Sequence, residues 1–184
     1  HHLSHAASAY FPSPFEEAAI LSVDGMGDFV STLTARGRGV ECEVFNRTYY
    51  PHSLGFLYNA VTLYLGFPAY GDEYKVMGLA PYGKPTYLDL FRRIVFPKGD
   101  GFELNMDYFT HHKRGISMTW ENGAPIVAPF HSDRLERELG PAREPRSEVT
   151  ERHQDIAASL QAVTEEILFH LLVRLHERTR SDRV

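Results

Sequence analysis

Ala18-Ala19-Ile20-Leu21-Ser22-Val23-Asp24-Gly25-Met26-Gly27-Asp28 is the stretch whose reading decides the fold. Its first six residues are small or apolar, a run of the length of a buried strand rather than a helix. The run ends in an aspartate followed by glycines, which reads as a hairpin turn with glycines at positive φ. Outward from it, residues 30–35 and 41–50 are two further strand-like stretches, with Arg36-Gly37-Arg38-Gly39 as the bend between them. The expectation is a three-stranded antiparallel meander with Asp24 and its glycines at the first bend.

Helical patterns flank the meander. Residues 1–10 contain no breaker and suit one or two helical turns, ended by Pro12-Ser13-Pro14. After a plausible N-cap at Ser53, Leu54, Leu57, Tyr58, Val61, Tyr64 and Leu65 recur at helical spacing until Gly66 and Pro68. Residues 70–75 read as a loop, Pro81-Tyr82-Gly83 as a turn, residues 87–95 as a short amphipathic helix and Phe102-Glu103-Leu104 as a strand. Residues 140–147 read as a loop or hinge. Residues 151–178 carry one apolar face, marked by Ile156, Leu160, Val163, Ile167, Leu171 and Leu175, and form a long helix. No repeat is visible. The fold class expected is mixed α/β, of the α+β kind, with a β-meander followed by helices.

Composition narrows the function. Of 184 residues, 24 are acidic and 19 basic, giving a net charge of −5, the wrong sign for a nucleic-acid surface. Hydrophobic residues at 43 % provide for a sizeable core, and the single Cys42 rules out a disulfide framework. No uninterrupted apolar run approaches the roughly 18 residues of a membrane span. The chain opens without methionine and shows no basic-then-apolar leader, so a piece of a longer cytoplasmic protein is expected.

Two constellations carry chemistry. His1 and His5 are spaced i, i+4, so on a helix both imidazoles leave the same face and can share one metal ion. A purification-tag remnant is the competing reading for His1-His2. A two-histidine site calls for a carboxylate as third ligand, and Asp24 is the best candidate. The Asp24-Gly25-Met26-Gly27 segment also suits phosphate, because missing Cβ atoms let backbone N–H groups approach an anion. Its strand–turn–strand–strand–helix setting matches the repeating unit of the actin/Hsp70/sugar-kinase ATPases. In the tyrosine- and glycine-rich segment 70–83, Lys75 suits a phosphate, and Asp72 or Glu73 a hydroxyl group. The remaining histidines read as structural or surface residues.

Together, His1-His2-Leu3-Ser4-His5-Ala6-Ala7-Ser8-Ala9-Tyr10, Leu21-Ser22-Val23-Asp24-Gly25-Met26-Gly27-Asp28, Gly71-Asp72-Glu73-Tyr74-Lys75-Val76-Met77-Gly78-Leu79-Ala80-Pro81-Tyr82-Gly83 and Glu151-Arg152-His153-Gln154-Asp155-Ile156-Ala157-Ala158-Ser159-Leu160-Gln161 closely resemble the nodulation and antibiotic O-carbamoyltransferases. The resemblance implies that residues 1–184 are part of an actin/Hsp70-type, Kae1-like domain. In that family a YrdC-like domain makes carbamoyl adenylate from carbamoyl phosphate and ATP, and the Kae1-like domain passes the carbamoyl group to a hydroxyl of a sugar-containing acceptor. A divalent metal, usually iron, is implied at His1, His5 and Asp24. Gly25 and Gly27 are implied beside its phosphate or the carbamoyl group, and Gly55 against the nucleotide.

The family's general-base histidine and first strand fall upstream of His1, and its second metal aspartate beyond Val184. The isolated piece is therefore expected to be inactive, and no catalytic residue is assigned within it. Neither nucleic acid nor membrane is expected as a partner, and the apolar face of the last helix leaves a homodimer open. Two other readings compete: a tRNA threonylcarbamoyl transferase, disfavoured by the 71–83 motif and the acidic balance, and a non-catalytic nucleotide- or metal-binding module.

Overall fold

The meander forms, but its first bend is displaced. Helix α1 (His2–Tyr10) is followed by β1 (Glu17–Gly27), β2 (Val30–Arg38) and β3 (Glu41–Tyr49), an antiparallel sheet in the order β1-β2-β3. This computed structural model describes residues 1–184 throughout. Pairing runs regularly from Glu17↔Arg38 to Val23↔Thr32, then jumps to Gly27↔Val30. Asp24, Gly25 and Met26 thus stand opposite Ser31 alone, a bulge that bends the strand and re-aims its side chains.

The expected glycine turn is corrected on this point. Neither Gly25 nor Gly27 lies at positive φ; the reversal falls on Asp28 and Phe29, with φ of 52° and 63°. Two central residues at positive φ give the hairpin geometry that matches the twist of the flanking strands. At the second bend Gly39 takes φ of 57°. Gly37 lies within β2, where a Cβ would stand 2.6 Å from the Tyr10 ring.

That close approach is how α1 docks on the sheet. Ala6 and Tyr10 pack with Ala18, Ile20, Leu33 and Ala35, all at most 7 % exposed, and Phe15, Cys42 and Val44 close the cluster. Burial of these side chains, at about 25 cal/mol per Å² of apolar area, supplies the stability that so short a helix lacks in isolation. Tyr10 keeps its hydroxyl satisfied by donating to the Glu16 carbonyl at 2.6 Å.

The rest of the chain is mainly helical. In order come α2 (Leu54–Tyr64), α3 (Glu73–Leu79), a 3₁₀ turn (Ala80–Tyr82), α4 (Leu88–Ile94), the hairpin β4 (Val95–Lys98) and β5 (Gly101–Leu104), and α5 (His111–Arg114). A second hairpin, β6 (Met118–Glu121) and β7 (Ala124–Val127), precedes α6 (Asp133–Leu139) and the 29-residue α7 (Glu151–Thr179). Residues 70–75, expected as a loop, are helical from Glu73 onward, and the β6–β7 hairpin had no forecast. The chain forms two compact units: residues 1–55, 96–103 and 165–184 in the first, and 56–95 and 104–164 in the second.

Within the first unit, Asp100 receives Arg174 at 3.0 Å and Arg178 at 3.7 Å, and Arg178 also covers the Phe45 ring. In the second unit, segment 140–147 is fastened rather than hinge-like. Arg143 is 7 % exposed, and its guanidinium donates to the carbonyls of Leu65, Gly66 and Ser147. A buried guanidinium satisfied this way holds its loop, because releasing it would strand several polar groups. Helix α7 contains an 18-residue window of mean hydropathy 1.4, apolar enough for a membrane crossing by length and composition. Its stripe Ile156, Leu160, Val163, Ile167, Leu171 and Leu175 is at most 3 % exposed, so its apolar content serves the protein core.

Candidate metal centre

His1 stands at the N-cap of α1 and His5 one turn later, so both rings leave one face of the helix. That face meets the bulge of β1. Asp24 Oδ2 lies 2.6 Å from His1 Nε2 and 3.5 Å from His5 Nε2, while the two Nε2 atoms are 3.1 Å apart. Two imidazoles and a carboxylate therefore present one ligand atom each to a common point. Ligand atoms around a tetrahedral ion bound at about 2.1 Å are roughly 3.4 Å apart, close to two of the three separations. The short His1–Asp24 contact is a hydrogen bond, which a bound cation would replace by coordination.

The donor set fits a divalent transition metal. Neutral imidazole nitrogen and one carboxylate oxygen suit iron, zinc or manganese, and two histidines with one carboxylate on one side leave positions open. The His1, His5 and Asp24 side chains are 37 %, 53 % and 40 % exposed, so an ion has an entry path. An adjoining open groove of about 400 Å³ is lined by His5, Ala6, Ser8 and Ala9 of α1 and by residues 20–24 of β1.

Supporting contacts fix this geometry. Asp24 Oδ1 accepts the Gly25 N–H at 2.6 Å, which leaves Oδ2 for the histidines. His2, buried at 4 % exposure, contacts the Ser22 hydroxyl through Nδ1 at 2.8 Å and the Val30 carbonyl through Nε2 at 2.9 Å. The carbonyl can only accept, so Nε2 carries the proton and Nδ1 accepts from Ser22. His2 thereby pins the first turn of α1 to both strands beneath it, next to the ligands it separates. Such outer contacts orient metal ligands in sites of this kind.

The glycines act sterically. A Cβ at Gly27 would stand 1.9 Å from His1 Cδ2, so glycine there leaves room for the His1 ring. A Cβ at Gly55 would stand 2.7 Å from Gly25 Cα. The first turn of α2 therefore rests directly on the bulge, and Ser53 Oγ donates to the Gly25 carbonyl at 2.6 Å. Asp24, Gly25, Gly27 and Gly55 are thus gathered at one place. Lys75 belongs to the second unit, where its ammonium meets Asp72 at 2.7 Å, and this hydrogen bond raises its pKa. In the same unit Glu73 accepts from Asn59 Nδ2 at 2.6 Å. Sequence reasoning missed His2 and the steric role of Gly27; the buried partner Ser22 carries no sequence signal.

Comparison with known proteins places the chain in a family. A family model described as carbamoyltransferase N-terminus matches residues 1–184. An uncharacterized protein of Synechocystis, sll1178, is 45 % identical over 93 % of the chain, which covers 26 % of that protein. The nodulation protein NolNO of Sinorhizobium fredii is 38 % identical over the whole chain, covering 24 % of its own length. For the nodulation protein NolO of Bradyrhizobium diazoefficiens the figures are 35 %, the whole chain and 30 %. The chain spans about a quarter of the length of these relatives.

Proposed function

The chain belongs to the carbamoyltransferase N-terminal family, and from that premise we propose that it contributes a metal-binding half-site to an O-carbamoyltransferase. The full protein, on this reading, moves a carbamoyl group from carbamoyl adenylate, made from carbamoyl phosphate and ATP, to a hydroxyl of a sugar-containing acceptor. The supporting observation is the convergence of His1 Nε2, His5 Nε2 and Asp24 Oδ2 on one point beside a glycine-lined bulge. The actin/Hsp70-type assignment and the cytoplasmic setting belong to the same proposal.

His1, His5 and Asp24 would hold a divalent ion, with iron suited to the donor set; when bound it supplies Lewis-acid polarisation of a carbonyl or phosphoryl oxygen. The chain's own residues do the positioning. Gly25 N–H holds the Asp24 carboxylate in one orientation, and His2 fixes the helix that carries both imidazoles. Gly27 leaves room for the His1 ring, and Gly55 lets the first turn of α2 pack on the Gly25 backbone, so the bulge that carries Asp24 is held in place. On this reading Gly25 and Gly27 lie beside the acyl or phosphoryl group. Lys75, in the second unit, is a separate phosphate-binding candidate, its ammonium held by Asp72.

The test uses the full-length parent with carbamoyl phosphate, ATP and a panel of sugar-type acceptors, following AMP release and acceptor carbamoylation. Carbamoylated acceptor in the parent, reduced at least 100-fold in Asp24→Asn, supports the reading. AMP release and acceptor modification that are unchanged in Asp24→Asn would sink it.

A further inference from the structure

A second feature, in the other unit, has no part in the metal centre. An open cavity of about 500 Å³ has four cations in its lining: Lys113 and Arg114 of α5, and Arg134 and Arg137 of α6. Two carboxylates, Asp107 and Asp133, share the lining, which leaves an excess of two positive charges in a chain whose net charge is −5. Random scattering of charges over an acidic surface would favour the opposite sign.

The individual contacts sharpen the point. Arg134 is committed: it donates to Asp107 Oδ2 at 2.8 Å and to Glu138 Oε1 at 3.1 Å, and it covers the Tyr108 ring. This pairing also neutralises Asp107. Lys113, Arg114 and Arg137 have no carboxylate partner, although the chain carries 24 acidic residues. The hydroxyls of the lining are spent as donors, Thr110 Oγ1 on the Phe130 carbonyl and Ser132 Oγ on the Asp107 carbonyl. The uncommitted side-chain donors facing the cavity are therefore all cationic.

We infer that this cavity binds a phosphate group carried by a small molecule, with Arg114 and Arg137 as its principal contacts and Lys113 as a third. Planar guanidinium groups offer paired N–H donors that match phosphate oxygens, and a phosphate dianion matches the local charge excess. A neutral sugar would find few free donors here. The site is independent of the reading of His1, His5 and Asp24.

Pyrophosphate is the probe, titrated calorimetrically into the full chain in metal-free buffer at low salt. The expected result is saturable one-site binding that weakens with added salt. It should be at least tenfold weaker in the Arg114→Gln/Arg137→Gln double variant and in Lys113→Gln weakened to a lesser degree, with His5→Ala unchanged. All three positions are exposed, and a matching melting temperature checks that the variants fold; the single Lys113→Gln variant serves if the double variant fails that check. No saturable binding, equal affinity in parent and charge variants, or loss in His5→Ala alone would overturn the inference.

Discussion

Gly27 and His2 show how much of the metal centre rests on residues that bind nothing themselves. Gly27→Ala would drive a methyl group into the His1 ring, the Cβ falling 1.9 Å from Cδ2. The ring must swing away, so metal occupancy should fall several-fold while the melting temperature changes little. His2→Ala removes two buried hydrogen bonds and strands the Val30 carbonyl and Ser22 hydroxyl. It should cost about 2–3 kcal/mol in urea unfolding, and weaken metal binding as well. At this scale the sequence was only partly readable. The i, i+4 spacing of His1 and His5 pointed to a shared ion, because helix geometry alone fixes that juxtaposition. Asp24 is brought there by a bulge in strand pairing, a non-local event that no spacing rule encodes. Gly27 was noticed as a glycine, but its crowding against a residue 26 positions earlier becomes visible only in three dimensions.

Helix α7 illustrates the element scale. His153 reaches back to its N-terminus: the Thr150 N–H donates to His153 Nδ1 at 3.0 Å, while the His153 N–H donates to the Thr150 carbonyl at 3.0 Å. The first of these bonds is the return half of a capping box, with an imidazole in the place usually held by Glu or Gln. Burial first, and then the charges of Arg152 and Arg143, hold the His153 pKa below its ordinary 6.5. The unfolded chain therefore takes up this proton first as pH falls. The cap's contribution is complete above about pH 6.5 and declines below it, toward the folded-state pKa. Melting curves from pH 7.5 to 5 should show a loss of stability in the parent that is smaller in His153→Gln. Downstream of the cap, a Cβ at Gly83 would stand 2.1 Å from the Gln154 carbonyl oxygen. Asp155 accepts the Lys84 N–H at 2.8 Å and the Thr86 hydroxyl at 3.0 Å. Gly83→Ala should therefore destabilise the second unit by about 1–3 kcal/mol in denaturant unfolding. The helix itself was legible over nearly its full length from its apolar stripe, and the meander from a short apolar run and two strand-like stretches set apart by glycine-containing bends. The β6–β7 hairpin was not, since Met118, Thr119, Trp120 and Glu121 are all exposed and carry no burial pattern to read.

For the whole molecule, two compact units divide the chain's chemistry. The first gathers two histidines, an aspartate and three glycines; the second holds Lys75 with Asp72, and the basic cavity. The family relationship runs over the entire chain, which spans about a quarter of the length of these relatives. Metal binding should stabilise the folded chain by mass action, about 2.7 kcal/mol at a hundredfold excess of free ion over Kd. The central claim is that His1, His5 and Asp24 form one working metal site. Its most direct test is metal analysis by mass spectrometry of the chain purified without a nickel step and reconstituted anaerobically with ferrous iron, beside His5→Ala and Asp24→Ala. The account predicts close to one ion per chain in the parent and a large loss in both variants. Equal metal content in all three proteins, or none in the parent, would contradict it.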